Sequence, residues 1–192
     1  KPDADALGSS LGLAMYLEKK GIKAQVITPS DYPDFLTWME GNDAVINFEN
    51  ADREVCRKII EEADMIFCLD FNALSRINAL GDMVEHSSAV KVIVDHHESP
   101  EIFADYTFCD TGYAATAEIL FDLFRGLGDE DVIDADIADC LYAGIMTDTG
   151  QFKHPNTTKH VHMVVARLIE HGADTAKVGK RIYDNNSLDR LK

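Results

Sequence analysis

Residues 89–94, an apolar run rich in valine and isoleucine, end on Asp95, His96 and His97, and this feature constrains the fold most. A β-branched run of this length is typical of a strand in a parallel sheet that is buried on both faces. The acid and the two imidazoles would then lie at the carboxyl end of that strand, the edge at which open α/β sheets bind ligands. The pattern therefore predicts an α/β protein with a site at this edge.

Other strand-like segments alternate with helical ones along the chain. Further strands are predicted at residues 23–29, 43–47, 64–70 and 106–109. Apolar residues recur at helical spacing in stripes that begin at Leu7, Val55, Tyr113 and Ile137. Two more helices are predicted, from His160 to His171 and from Thr175 to Tyr183. Gly21 is expected to end the first helix, and Asp110 or Thr111 to cap the third. This alternation predicts a doubly wound, mostly parallel five-stranded sheet flanked by helices.

Two regions are expected along the chain. Residues 1–155 predict the α/β catalytic domain, and residues 156–192, helical in pattern, predict a connector to a further, substrate-binding domain. Because the chain opens on Lys1 rather than methionine, we expect it to be part of a longer protein.

Composition restricts the partners. The net charge of −16 argues against a basic groove for duplex DNA. No apolar stretch reaches the ~18–20 residues that a membrane span needs, and no signal peptide is recognisable. The four cysteines are scattered and read as reduced thiols, so we expect a cytoplasmic protein without a membrane partner.

The first acidic motif is Asp3-Ala4-Asp5, followed by Gly8 and Ser9 at the start of a predicted helix. Its carboxylates suit hard divalent cations. Gly8 would permit close backbone approach, and a helix N-terminus favours an anion such as phosphate. The alternative is a helix cap with spare acids.

Asp70 follows an apolar strand, and it shares an edge with Asp95 if the two strands are parallel neighbours. Side chains alternate along extended backbone, so we expect one of His96 and His97 to bind a metal and the other to face substrate. Imidazole ligands favour Mn²⁺, Zn²⁺ or Fe²⁺ over Mg²⁺ alone. The alternatives are a loop-capping acid and a pair of loop histidines.

Asp148 continues the apolar stripe of Ile137, Leu141 and Ile145 at the end of a predicted helix. A carboxylate there is opposed by the helix dipole and penalised by burial. A cation partner removes both objections. The alternative is a capped or protonated acid.

Taken together, these motifs resemble the DHH phosphoesterase family and, within it, the nanoRNase and pAp phosphatase branch related to RecJ-type exonucleases. The residues that carry the resemblance are Asp3, Asp5, Gly8, Ser9, Asp70, Asp95, His96, His97 and the segment 144–150 around Asp148. The family also has a histidine and a first strand that would precede Lys1, and a C-terminal domain with a Gly-Gly-His signature that residues 1–192 lack.

The resemblance implies a dinuclear site, normally with Mn²⁺, and with Mg²⁺ or Co²⁺ as alternatives. One cation would be held by Asp3 and Asp70, and the other by Asp5, Asp70, His96 and Asp148. His97 and Asp95 are the implied catalytic residues: His97 lies by the scissile phosphate, and Asp95 orients a neighbouring group. Gly8, Ser9 and His97 are the implied substrate-binding residues.

The implied function is hydrolysis of short oligoribonucleotides or pAp. Alternatives are a cyclic-dinucleotide phosphodiesterase, a pyrophosphatase or polyphosphatase, and a nucleotide-binding module without catalysis. The implied partners are small nucleotides, and a homodimer stays open.

Overall fold

The computed structural model describes residues 1–184 of the chain. They contain five short strands and seven α-helices. The strands are β1 (Ile27–Thr28), β2 (Ile46–Asn47), β3 (Met65–Leu69), β4 (Val90–Asp95) and β5 (Tyr106–Cys109). The helices are α1 (Ala4–Lys19), α2 (Arg53–Glu62), α3 (Leu80–His86), α4 (Thr116–Gly126), α5 (Ala135–Asp148), α6 (Lys159–Glu170) and α7 (Thr175–Tyr183).

Every strand pair is parallel, as the sequence predicts. The described strands form two ladders, one with the order β3-β4-β5 and one that pairs β1 with β2. The α/β class is confirmed, and the five strands divide between these two ladders. The smaller ladder is short because a 3₁₀ turn (Asn42–Ala44) comes just before β2, and because Pro29, which has no N–H to donate, follows β1.

Strand β4 is covered on both faces. Val92 and Val94 belong to a core that the sheet shares with α1, α4 and α5. Ile93, which points the other way, belongs to a second core with α2 and α3. The prediction of helices on both faces of the sheet is confirmed.

Helix α1 begins and ends where its sequence indicates. The Oδ1 atom of Asp3 accepts hydrogen bonds from the backbone N–H groups of Asp5 and Ala6, both at 3.0 Å. Gly21, at φ +79°, follows the last turn in the left-handed conformation that glycine adopts without strain. Helix α2 differs from the prediction, because Cys56 and Ile60 are buried whereas Val55 is 49% exposed.

Helices α6 and α7 pack on the rest of the molecule. Val161, Val164, Leu168, Val178 and Ile182 are buried in the same core as α1, α4 and α5. Their role as a connector stays a prediction. Residues 185–192, the end of the predicted connector, lie outside the described residues.

The four cysteines are free thiols, and three of them, Cys56, Cys68 and Cys140, are buried. Within residues 1–184, no helix combines the length and the apolar character that crossing a bilayer requires.

Candidate metal centre

Two strand ends carry acids to the same edge of the sheet. Leu69 of β3 pairs with Val94 of β4, so Asp70 and Asp95 follow at the same level of neighbouring strands. The N–H of Asp70 continues the ladder by donating to the Val94 carbonyl at 3.0 Å. Asp70 has φ +63°, a left-handed conformation that is uncommon outside glycine and is often found at functional sites.

Two helix ends bring further acids to this edge. Asp5 lies in the first turn of α1 and is fully buried, and Asp148 is the last residue of α5, as predicted. The side chain of Asp148 keeps 20% exposure, so it is less buried than its stripe suggests. The amide of Asn156 donates to the Asp148 carbonyl at 3.1 Å and satisfies one of the free carbonyls of that helix end.

The imidazole of His96 lies among three of these carboxylates. Its Nε2 atom is 3.2 Å from Asp148 Oδ2, 3.5 Å from Asp70 Oδ1 and 3.8 Å from Asp5 Oδ2. Burial alone would lower the pKa of His96, but the close carboxylates of Asp148, Asp70 and Asp5 raise it to about 11. In the same place, burial and the charges of Asp70 and Asp148 raise the pKa of Asp5 well above its ordinary value.

This arrangement fits a divalent cation. The Nε2 atom of His96 is buried and makes no hydrogen bond with residues 1–184, although three carboxylates surround it. Ligand atoms of Asp5, His96 and Asp148 lie within 4.8 Å of one another, and so do those of Asp70, His96 and His97. A cation bound there would balance the acids and use the free nitrogen.

Asp3 lies at the margin of this group. It is exposed, and its Oδ1 caps α1, so the helix-cap alternative describes part of its role. Partial desolvation and the charges of Asp70 and Asp148 raise the pKa of Asp3. The interaction with Asp70 and Asp148 shows that Asp3 lies near these two acids, where its carboxylate could contribute a metal ligand.

His97 and Asp95 form a pair of their own. The Nδ1 atom of His97 is 2.7 Å from Asp95 Oδ1, and Asp95 is fully buried whereas the His97 side chain is 43% exposed. The expectation that alternation turns the two imidazoles apart is wrong, since their ring centroids are 4.4 Å apart. Strand β4 ends at Asp95, so the histidines lie beyond the extended backbone on which the argument depended.

The structure corrects the expectation for Gly8 and Ser9, which it places inside the protein. A Cβ atom at Gly8 would lie 2.3 Å from the carbonyl oxygen of Cys140, so this glycine allows α1 to pack closely on α5 rather than a ligand to approach. Ser9 is fully buried and donates its hydroxyl to Asp5 Oδ1 at 3.2 Å. Neither residue faces a substrate.

Helix α4 is capped by a residue that the sequence analysis did not connect with it. Its N-cap position is Ala115, not Asp110 or Thr111, and no side chain there makes a capping bond. The Asp5 carboxylate instead accepts the N–H groups of Thr116 at 2.7 Å and Ala117 at 2.9 Å. No local sequence signal could have indicated this contact, because 111 positions separate Asp5 from Thr116.

Two further supporting residues were missed. The Asn72 amide donates to the carbonyls of His97 at 3.2 Å and Glu98 at 3.0 Å, and so holds the loop after β4. A Cβ atom at Gly144 would lie 2.5 Å from Asp5 Oδ1, so glycine is needed where α5 passes the buried acid. Gly144, the first residue of the segment 144–150, was the sequence signal for this close approach of α5 to Asp5.

Comparisons with known proteins agree with this geometry. The model of the "DHH family, N-terminal domain" matches residues 1–145. A bifunctional oligoribonuclease and PAP phosphatase NrnA from Thermus thermophilus is 34% identical over 181 residues, which are 94% of this chain and 51% of that protein. The chain thus spans about half the length of this curated relative.

Solved structures show the same fold. The crystal structure of an exopolyphosphatase-related protein from Bacteroides fragilis has a TM-score of 0.96 at 37% identity, covering 99% of this chain and 56% of that one. A putative family II inorganic pyrophosphatase from Methanococcus jannaschii has a TM-score of 0.67 at 19% identity, covering 94% and 58%, and shows the fold alone. The family match over most of the chain, together with the acids and histidines at the strand ends, means that this chain belongs to the DHH family.

Proposed function

We propose that this chain is the metal-binding part of a phosphoesterase that hydrolyses short oligoribonucleotides, pAp or both. The observation that carries the proposal is the free Nε2 atom of His96 among the carboxylates of Asp5, Asp70 and Asp148. Family membership and the similarity to the Thermus thermophilus oligoribonuclease and PAP phosphatase support the substrate class.

The proposed site holds two divalent cations. Asp5, His96 and Asp148 would hold one, Asp3 would contribute to the other, and Asp70 would be shared. A mixed imidazole and carboxylate set favours Mn²⁺, with Mg²⁺ and Co²⁺ as alternatives. When bound, such cations lower the pKa of a water molecule and neutralise charge on a phosphoryl group.

The remaining chemistry belongs to the residues of the chain. His97 uses Nδ1 for Asp95, which leaves Nε2 as the atom that contacts a phosphate oxygen or gives a proton to the leaving group. Asp95 is fully buried, so it acts by holding the His97 ring in place. We therefore assign His97 as the catalytic residue and Asp95 as its positioning residue.

The acids also explain why the reaction would need metal. Without cations, the carboxylates of Asp5, Asp70 and Asp148 would repel a phosphate group. A net charge of −16 opposes binding of long duplex DNA in the same way. A small nucleotide drawn in by bound cations suits this surface better, and we propose that it is hydrolysed in the cytoplasm.

We further propose that residues 156–192 lead to a second domain that contacts the rest of the substrate. The Thermus thermophilus relative is about twice as long as this chain, which supports this division.

The test is an assay of the complete protein with Mn²⁺ and, separately, with a chelator. The substrates are a 5′-phosphorylated diribonucleotide, pAp, cyclic di-AMP, pyrophosphate and polyphosphate. We expect Mn²⁺-dependent release of mononucleotide from the diribonucleotide, of phosphate from pAp, or of both. Preferential hydrolysis of polyphosphate would instead favour the second candidate, to which the Bacteroides fragilis structure points. Nucleotide binding without turnover would overturn the enzymatic proposal.

A further inference from the structure

Thr116 contacts two of the three carboxylates that surround His96, and these two belong to different elements of the fold. Its hydroxyl donates to Asp70 Oδ1 at 3.1 Å, and its backbone N–H donates to Asp5 Oδ2 at 2.7 Å. These are the same two oxygen atoms that lie 3.5 Å and 3.8 Å from His96 Nε2. One residue therefore orients both oxygens toward the position where a cation would bind.

Neither carboxylate is held in place by its own element alone. Asp70 lies just past β3 at φ +63°, a conformation that persists only where surrounding contacts determine it. Among residues 1–184, Thr116 donates a hydrogen bond to the Asp70 side chain, whose Oδ1 atom also faces His96 Nε2 at 3.5 Å and His97 Nδ1 at 3.9 Å. Asp5 is a fully buried acid, and its carboxylate lies at the N-terminus of α4, where the helix dipole favours negative charge.

Thr116 cannot itself touch a substrate. Its side chain is fully buried, and helix α4 begins at this residue. Among residues 1–184 its N–H and its hydroxyl donate to these two acids, so its contribution to the site acts through them. Residues that support metal ligands in this way commonly decide how tightly and in what geometry a metal is held.

We propose that Thr116 is a positioning residue, whose hydroxyl fixes Asp70 and whose position at the start of α4 sets the separation of Asp5 from Asp70. This inference rests on the proposed metal-dependent function and extends it beyond the residues that bind the cations. The hydroxyl is the part of Thr116 that can be removed, because Thr116→Val keeps the shape and the backbone N–H, and Thr116→Ser keeps the hydroxyl.

The experiment uses the complete protein and measures two quantities. Mn²⁺ affinity is determined without substrate, by calorimetry or by competition with a chelator, and kcat and KM are determined with the substrate that wild type hydrolyses. Thr116→Val is expected to weaken Mn²⁺ binding by about 10- to 100-fold and to lower kcat by a similar factor, with little change in KM. Thr116→Ser is expected to stay within about threefold of wild type in both quantities.

Thr28→Val is the matched control. Thr28 is also buried, at 5% exposure, but its hydroxyl has no hydrogen-bond partner among residues 1–184. The control removes a buried hydroxyl that makes no hydrogen bond to any of the site residues, so Mn²⁺ affinity and kcat should match wild type. If Thr116→Val does not fold, as judged by its thermal transition, the pair Thr116→Ala and Thr116→Ser gives the same comparison.

The outcomes separate this inference from the proposed function. Wild-type Mn²⁺ affinity in Thr116→Val, or equal losses in the valine and serine variants, would overturn the role of the hydroxyl. A lower melting temperature with unchanged Mn²⁺ affinity would also overturn it, because that result describes a merely structural residue. Weaker Mn²⁺ binding in Thr116→Val alone would support it, even if wild type hydrolysed none of the proposed substrates.

Discussion

Carboxylates are paired differently in two regions of the molecule. On the helical side, each of four acids has a nitrogen partner, and we call them the helical acids: Glu118 with His160, Asp129 with Lys20, Glu130 with Arg167, and Asp139 with Lys177. At the strand ends, three acids surround the imidazole of His96 and a fourth interacts with two of them, and we call them the site acids: Asp5, Asp70, Asp148 and, as the fourth, Asp3.

The difference shows where the fold lacks a cation of its own. Moving a carboxylate out of water is costly, and a nearby positive group offsets much of that cost. Each helical acid has at least one nitrogen partner, whereas the imidazole of His96 can balance only one of the site acids. The unmatched charge is what a bound divalent cation would neutralise, so the two regions should respond in opposite ways to substitution.

The largest effect is expected from Asp70→Asn. It removes the charge of the acid that both cations would share, so kcat should fall by more than about 100-fold, beyond the typical loss for a residue that only supports a ligand. The metal-free variant should also unfold at higher urea concentration than metal-free wild type, because repulsion among the site acids is reduced. Activity assays with Mn²⁺ and urea unfolding with a chelator measure the two effects.

Asp139→Asn is the control for that substitution. Asp139 lies outside the site and pairs with Lys177, so its activity per folded molecule should stay close to that of wild type. Full activity of Asp70→Asn would contradict the two-metal interpretation. Equal loss of activity in both variants would contradict the distinction between site acids and helical acids.

Gly144→Ala tests how closely the site acids are packed. The new Cβ would lie 2.5 Å from Asp5 Oδ1 and 3.1 Å from the Cβ of Ala117, so Asp5 must shift. We expect a loss of up to about 3 kcal/mol in the free energy of unfolding, together with weaker Mn²⁺ binding. Urea unfolding and calorimetry measure these quantities.

Gly179→Ala provides the matched control for overpacking. Nothing lies within 4 Å of the position of its Cβ, and it is inside helix α7. Alanine there should stabilise the protein by about 0.5–1 kcal/mol and leave metal binding unchanged. If Gly144→Ala bound Mn²⁺ as tightly as Gly179→Ala does, the close approach of α5 to Asp5 would not matter for the site.

The helical acids are tested by the stability of Asp139→Asn. Asp139 is 4% exposed and accepts hydrogen bonds from Lys177 Nζ and from the backbone N–H of Asp174, the latter at 2.8 Å. Because Lys177 is 45% exposed, its charge stays solvated after the substitution, and we expect a loss of about 1–2 kcal/mol. Urea unfolding gives this value, and an increase in stability would show that Asp139 is unmatched, like the site acids.

Local sequence signals predict the parts of the site that a single element determines. The apolar run of β4 places Asp95 at a strand end, and the same reasoning places Asp70 beside it, because parallel neighbours end at one edge. Asp148 lies at the end of α5, where its stripe predicts it. In each case, the residue's own helix or strand determines its position.

Contacts between distant elements could not be predicted in this way. The Asp5 carboxylate caps α4 from another helix, and Gly8 faces α5 rather than a ligand. Which face of α1 meets α5 depends on the packing of the whole core, and a single helical stripe does not contain that information. The directions of His96 and His97 depend on a loop that Asn72 holds from the neighbouring strand end.

The smallest effect expected is the pH dependence that the pair of Glu118 and His160 contributes. Burial alone would lower the pKa of His160, but its hydrogen bond to Glu118 and the charge of Asp122 raise it above its ordinary value. The native protein therefore keeps this proton to higher pH than the unfolded chain does. The stabilisation is complete below about pH 6.5 and is lost as the pH rises through the raised pKa.

His160→Gln should remove this contribution. As the pH rises above 6, the free energy of unfolding of the variant should therefore fall less than that of wild type. Because the His160 side chain is 35% exposed, solvent screening limits the difference to under about 1 kcal/mol. Urea unfolding across this range, with a chelator present, measures the difference.

His162→Gln is the matched control, since His162 lies on the same helix but contacts the ring of Phe152, with centroids 5.9 Å apart. Equal pH dependence in wild type and His160→Gln would show that His160 does not balance the charge of Glu118. Glu118 is only 1% exposed and is the most buried of the helical acids, so this result would contradict the rule that each helical acid has a nitrogen partner.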